Sequence, residues 1–252
     1  VFAGLAKIID YVISFEFSKS DIEFLHELGY EEDFLEYLSA MKFTGSIRSV
    51  KEGEIIFANE PLLRIEAPLI QAQIMETAIL NIVNYQILIA TKAARIKHLC
   101  PDEVCMEFGT RRAHEFDAAI WGTRASIIGG FDATSNVKAA KLFNIPCSGT
   151  HAHSFVQAYE DEEVAFKKYA AAHKDCYFLV DTYDTLRSGI PTAIKVADEL
   201  KDKINFHGIR LDSGDIAYLS KEARKMLDEA GYPNAKIVAS NDLDEDTITH
   251  LK

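Results

Sequence analysis

Residues 149–154 read Gly-Thr-His-Ala-His-Ser and follow the short apolar stretch Ile145-Pro146-Cys147. Two histidines one residue apart, beside a glycine and a hydroxyl, are poor core material. Imidazole there can bind a metal, move a proton or take up a phosphoryl group. Arg111 and Arg112 open a helix directly after a strand-like run. A guanidinium at a helix N-terminus favours a carboxylate or a phosphate, although a solvated helix start has the same composition. Arg210 is different, because it lies inside the apolar run Phe206–Leu211. An arginine in a buried strand requires an anion, from the protein or from a ligand. Asp181 and Asp212 each end an apolar run and suit Mg²⁺ or ribose hydroxyls. Asp181 would serve equally as a helix N-cap, and Asp215 has an N-cap's position.

These residues are placed by an alternation that begins after Pro101. Strand-like runs at Val104–Phe108, Ser126–Phe131, Ile145–Cys147, Cys176–Val180, Phe206–Leu211 and Lys236–Ala239 alternate with segments of helical pattern or length. Strict βα alternation predicts a parallel sheet, and six steps in so short a span suit a barrel-like sheet. Each run ends in small, hydroxylated or charged residues: Gly109–Arg112, Asp132–Asn136, Gly149–His153, Asp181–Asp184, Asp212–Asp215 and Ser240–Asp242. Active sites of parallel α/β folds gather at such strand ends. An enzyme is therefore expected.

The first hundred residues read differently. Helices are expected at Ala3–Ile13, from an Asp21 N-cap to Leu28, and at Asp33–Ala40. Strands are expected at Phe43–Ile47, Ile55–Phe57 and Leu62–Ala67, then a long helix from about Leu69 to Ile96 with Ile70, Ile74, Ala78, Ile82 and Ile89 at helical spacing. The expected organisation is a smaller N-terminal helix-plus-sheet domain at 1–100 and a parallel α/β barrel-like domain at 101–252, both partial. The opening Val1-Phe2-Ala3-Gly4-Leu5 has an interior character, and His250-Leu251-Lys252 stops within a helical pattern, so a fragment of a longer protein is expected.

Composition narrows the function classes. The chain has 252 residues, 48% hydrophobic and 26% charged, as in soluble globular proteins. Apolar runs such as Ile87–Ala90 are too short to cross a bilayer, and no secretory signal is visible. Acidic residues number 39 against 27 basic ones, a formal charge of −12, which argues against a nucleic-acid surface. Cys100, Cys105, Cys147 and Cys176 lack C-x-x-C spacing. The strand-like settings of the last three suggest buried free thiols in a reducing cytoplasm. Of the remaining histidines, His26, His98, His173 and His250 lie in helical segments, His114 just inside one, and His207 early in a strand, remote from the strand ends. A metal-dependent barrel hydrolase would need further histidines on the later strand ends, which carry only Asp, Ser and Asn.

Glu107-Phe108-Gly109-Thr110-Arg111-Arg112, Asp132-Ala133-Thr134-Ser135-Asn136, Gly149-Thr150-x-Ala152-His153-Ser154, Val180–Thr185 and Arg210–Asp215 together resemble the nicotinate phosphoribosyltransferase family, in its order and at its strand ends. The resemblance extends over the whole chain, including Phe2–Leu5 and the Glu76–Asn81 helix. It implies an incomplete parallel α/β barrel with a smaller N-terminal α/β domain, acting as a cytoplasmic homodimer in NAD salvage. It implies conversion of nicotinate and phosphoribosyl pyrophosphate into nicotinate mononucleotide and pyrophosphate, with Mg²⁺ and with ATP as co-substrate. By resemblance His153 is the phosphorylated histidine, Thr150 and Arg210 contact nicotinate, and Phe108 and Arg111 line the base pocket. Asp181 and Asp212 then serve ribose, metal or pyrophosphate. Ser135 stands where nicotinamide-using relatives carry an acidic residue, and a hydroxyl there avoids repelling a carboxylate. The family's base-stacking tyrosine and Gly-rich phosphate-binding segment are expected outside Val1–Lys252. Nicotinamide or quinolinate phosphoribosyltransferase activity is the near alternative, and a non-catalytic binding module a remoter one.

Overall fold

The computed structural model describes residues 1–252 as two compact units, Val1–Cys147 and Ser148–Lys252. In the first, α1 (Leu5–Ser14), α2 (Lys19–Glu27) and α3 (Glu32–Ala40) precede an antiparallel pair, β1 (Ser46–Ser49) and β2 (Leu63–Glu66). The long α4 (Leu69–Leu99) follows, then β3 (Met106–Glu107), α5 (Phe116–Ile128), β4 (Ala133–Thr134) and α6 (Val137–Phe143). Strands β3 and β4 pair in parallel, and a parallel bridge from Thr134 to Cys147 continues the pattern.

By length and composition α4 alone would suffice to span a bilayer. Its buried side, Met75, Ile79 and Val83, packs with Phe2, Ile8 and Val12 in the core of this unit. Farther along, Ala90 packs against Ala3 and Ala125. Small residues allow α4 and α5 to approach closely: a Cβ on Gly129 would lie 2.4 Å from the Ala90 carbonyl oxygen. Glu52 anchors the start of α1 by accepting from the Gly4 and Leu5 amides and from both terminal nitrogens of Arg124. Burial acts to raise its pKa, but the Arg124 and amide bonds outweigh it and hold the carboxyl below the usual range.

The second unit contains α7 (His153–Gln157), α8 (Glu162–Ala172), β5 (Asp175–Leu179), α9 (Ile190–Leu200), β6 (Asn205–Leu211), α10 (Ile216–Glu229), β7 (Lys236–Ala239) and α11 (Glu245–Leu251). Its three strands form a parallel sheet in the order β5-β6-β7. Phe178, Val180, Ile209 and Leu211 pack with Phe166 of α8, Val196 of α9 and Leu227 of α10. The mixed α/β fold with parallel sheets thus agrees with the alternation in the sequence.

Several local expectations are corrected. Ser126–Phe131 is no strand: Ser126–Ile128 ends α5, and Gly129-Gly130 turns the chain into β4. Helix α5 buries Ala119, Ile120, Gly122, Thr123, Ala125 and Ser126, so much of its circumference is apolar or small, and such a run cannot be told from a buried strand by periodicity. Ile55–Phe57 is loop, with Ile55 and Phe57 exposed. Ser18, not Asp21, caps α2, and Asp21 completes the capping box from the third helical position. His114 lies in a bend between helices. Cys176 is buried as expected, but Cys147 is exposed and Cys105 only half-buried.

Candidate active site

In the second unit the expected polar strand ends converge. The turn after β5 begins at Val180-Asp181, that after β6 at Asp212, and that after β7 at Ser240. Ala152 is extended and His153 is the first residue of α7, and the two histidines have different surroundings. His153 faces the strand ends, its Nε2 3.1 Å from Asp181 Oδ1 and its Nδ1 4.0 Å from Asp212 Oδ2. The Asp181 side chain is 1% exposed, against 36% for His153. A carboxylate so buried needs full hydrogen bonding. Asp181 obtains it from His153, the Asp212 amide at 2.8 Å and Ser213 Oγ at 2.6 Å. Asp181 is therefore a hub for the turn after β6, and Asp215 is the N-cap of α10, accepting from the Tyr218 amide.

Arg210 has its anion within the protein. Its Nη2 donates to Asp212 Oδ1 at 2.7 Å, its Nη1 to Thr150 Oγ1 at 2.9 Å and its Nε to Ser240 Oγ at 2.9 Å. Ser240 in turn donates to Asp212 Oδ1. Burial acts to raise the Asp212 pKa, yet Ser240 and Arg210 prevail and keep its carboxyl below the usual range. A planar guanidinium spends its rigid fork on three partners here and fixes the ends of β6 and β7 together with Thr150. Ser213 and Ser240 were legible only as generic polar strand ends. Their importance appears once the turns are folded against the two carboxylates.

The first unit carries a second polar cluster, built on β3 and β4. Glu107 is buried and accepts from Thr123 Oγ1 at 2.9 Å, Thr134 Oγ1 at 2.7 Å and the Gly109 amide. Its backbone carbonyl accepts from the Ser135 amide. Glu107 therefore shapes both strand ends that bear the predicted residues. Phe108 is half-buried, Ser135 exposed, and Arg111 exposed in a single 3₁₀ turn, Thr110–Arg112. The sequence motif contained Glu107, but nothing in it signalled that two threonines would satisfy the carboxylate.

His151 is buried, packed among Phe155, Phe166, Tyr169 and Phe178. Burial pushes its pKa down to about 4, so the ring is neutral near pH 7, and its Nε2 accepts from the Leu179 amide. No group of three or more His, Cys, Asp or Glu side chains is arranged to hold a metal by itself.

Known proteins resemble the chain over its whole length. The family model of the nicotinate phosphoribosyltransferase N-terminal domain matches residues 1–84, and that of the nicotinate phosphoribosyltransferase family matches residues 104–252. The nicotinate phosphoribosyltransferase of Bacillus subtilis is 69% identical over 253 residues, covering 100% of this chain and 52% of the relative. Among solved structures, human nicotinic acid phosphoribosyltransferase superposes with a TM-score of 0.93 at 30% identity, over 99% of this chain and 62% of that one. A nicotinate-nucleotide pyrophosphorylase from Pyrococcus furiosus superposes with a TM-score of 0.72 at 30% identity, over 82% and 54%. The chain spans about half the length of the curated relatives it matches. A family match over most of the sequence, together with the ordered polar strand ends, shows that the chain belongs to the nicotinate phosphoribosyltransferase family.

Proposed function

We propose that this chain is the part of a nicotinate phosphoribosyltransferase that carries its phosphohistidine. The protein would join nicotinate to the ribosyl carbon of phosphoribosyl pyrophosphate, releasing pyrophosphate, with ATP hydrolysis coupled through His153. The observation that carries this reading is His153 Nε2 on the buried Asp181 beside the Arg210–Asp212–Thr150 network. A carboxylate on Nε2 holds the proton there and leaves the Nδ1 lone pair to attack the γ-phosphorus of ATP as ADP departs. The phosphoryl group then places extra anionic oxygens beside the diphosphate site, which lets ATP alter affinity through one residue.

Loss of pyrophosphate leaves oxocarbenium-like charge on the ribose, which carboxylates nearby stabilise. Mg²⁺, when bound, would neutralise the leaving diphosphate, and such sites use one or two carboxylates plus substrate phosphates. The donor set fits that mode. Asp212 Oδ2 has no hydrogen-bond donor within normal reach, whereas both Asp181 oxygens are engaged. Asp212 is therefore assigned the metal or diphosphate, and Asp181 the orientation of His153. Thr150, Arg210, Phe108 and Arg111 are assigned to substrate, Arg210 supplying fixed positive charge for an anionic base. Ser135, a hydroxyl where an acid would repel a carboxylate, supports nicotinate over nicotinamide. The incomplete barrel, the division near residue 100, the homodimer and the cytoplasmic setting are inferred with the family.

Incubation of the full-length protein with ATP labelled in its γ-phosphate tests the reading. Acid-labile label on His153 is expected, abolished in His153→Ala; label on His151 would overturn it. Assays with nicotinate, nicotinamide and quinolinate should yield product with nicotinate, and a preference for nicotinamide would refute the Ser135 assignment.

A further inference from the structure

The phosphohistidine reading leaves His151 without a task, yet the structure invests heavily in it. Its side chain is enclosed by four aromatic rings, the nearest centroid 4.8 Å away at Tyr169, and its Nε2 accepts from the Leu179 amide at 3.1 Å. That amide is significant. Just past the end of β5 the Val180 amide donates to Arg210 O of β6, so the Leu179 amide, one residue earlier, points to the other edge of the strand. No strand pairs there, since β5 is terminal in the order β5-β6-β7. Leu179 is fully buried, and its amide would be an orphan buried donor without the imidazole.

The two histidines act in register. His151 meets Leu179 and His153 meets Asp181, each pair 28 residues apart. Segment 151–153 therefore runs alongside 179–181 with imidazole side chains as the rungs. Thr150, hydrogen-bonded to Arg210, adds a tether at the start of the segment. An acceptor at Nε2 requires the Nδ1–H tautomer of a neutral ring.

We propose that His151 is a positioning residue, a neutral imidazole that completes the open edge of β5 and thereby sets His153 against Asp181. Removal of the rung frees segment 150–153 to shift along the strand, and His153 then loses its fixed relation to the carboxylate. The consequence for catalysis rests on the phosphohistidine reading above. The geometry itself does not, because the rung and the His153 tautomer can be observed without turnover.

The test uses full-length protein with ¹⁵N-labelled histidine and backbone. In wild type, His151 should appear as the Nδ1–H tautomer with a through-hydrogen-bond coupling between its Nε2 and the Leu179 amide, and His153 as a single Nε2–H tautomer. In His151→Phe the aromatic packing is retained but the acceptor is lost. His153 should then populate both tautomers, and phosphoryl transfer from ATP should slow at least tenfold with the nicotinate KM changed less than twofold. His151→Gln, whose amide oxygen reaches the position of Nε2, should restore one tautomer and bring the rate within about threefold of wild type. An Nε2–H tautomer at His151, or a folded His151→Phe with an unaltered His153 tautomer, would overturn the proposal. Should His151→Phe fail to fold, His151→Gln decides: a mixed His153 tautomer in that variant, with the Leu179 bond intact, would equally refute it. Absence of phosphohistidine in wild type would sink the functional reading and leave the tautomer results to judge His151.

Discussion

Single residues in this chain gain their meaning from what their neighbours leave unsatisfied. Asp181 looked like a metal ligand or an N-cap from its place at the end of an apolar run. The fold gives both of its oxygens hydrogen-bond partners, in His153, Ser213 and the Asp212 amide. Histidine 151 illustrates a second point, because burial fixes its charge state and makes it a pH-linked element. Its pKa falls to about 4, first from burial and then from the charges of Arg210, His153 and His173. In the unfolded chain the ring takes up a proton near pH 6.5, while in the folded chain it resists until about pH 4. The unfolded state therefore binds more protons across that window, and stability rises with pH through it. About 3 kcal/mol of stability should be lost between pH 7 and pH 4 through this residue alone. Thermal midpoints measured over that range should fall less steeply in His151→Gln than in wild type. An identical slope in the two proteins would show that the ring is not held neutral.

At the scale of elements, the strands were legible where β-branched and aromatic runs were bounded by polar turns, as in β5, β6 and β7. The apolar Ser126–Phe131 misled because helix α5 is buried around most of its circumference, which erases the 3.6-residue period. The site's polar ends were legible because βα alternation places them at one edge. Ser213, Ser240 and the threonines on Glu107 were not, since their partners lie 16–32 residues away in sequence, and no local signal encodes a hydrogen bond of that span. The β6–β7 contact depends on another such relation. Gly208 has φ +148°, and a Cβ there would lie 1.9 Å from the Lys236 carbonyl oxygen of β7. Gly208→Ala must push the two strands apart and should cost about 3 kcal/mol or more. By contrast, Asp215→Ala removes only the side-chain cap of α10 and should cost about 1 kcal/mol. Calorimetry of the two variants separates these cases, and equal losses would mean that β7 yields freely.

At the scale of the whole molecule, the separate cores suggest that stability is divided. Phe2, Ile8, Val12, Met75, Ile79 and Val83 form the core of the first unit, whereas the cluster around Phe166, Phe178, Ile209 and Leu227 belongs to the second. The two clusters share no residue. Cooperative opening follows contiguous packing, so each core should protect its own amides. Phe178 is fully buried, stacked on Phe166 at 4.8 Å, and Phe178→Ala should remove about 3–5 kcal/mol from the unit that contains it. Hydrogen exchange of the full-length variant should then show faster exchange in β5, β6 and β7, with amides of α4 and α5 changed little. The same variant should also lose the Leu179 protection that His151 provides, since Phe178 lies against that ring. Uniform loss of protection from Val1 to Lys252 would instead mean that the two cores open as one, and that the candidate site cannot loosen without the whole chain.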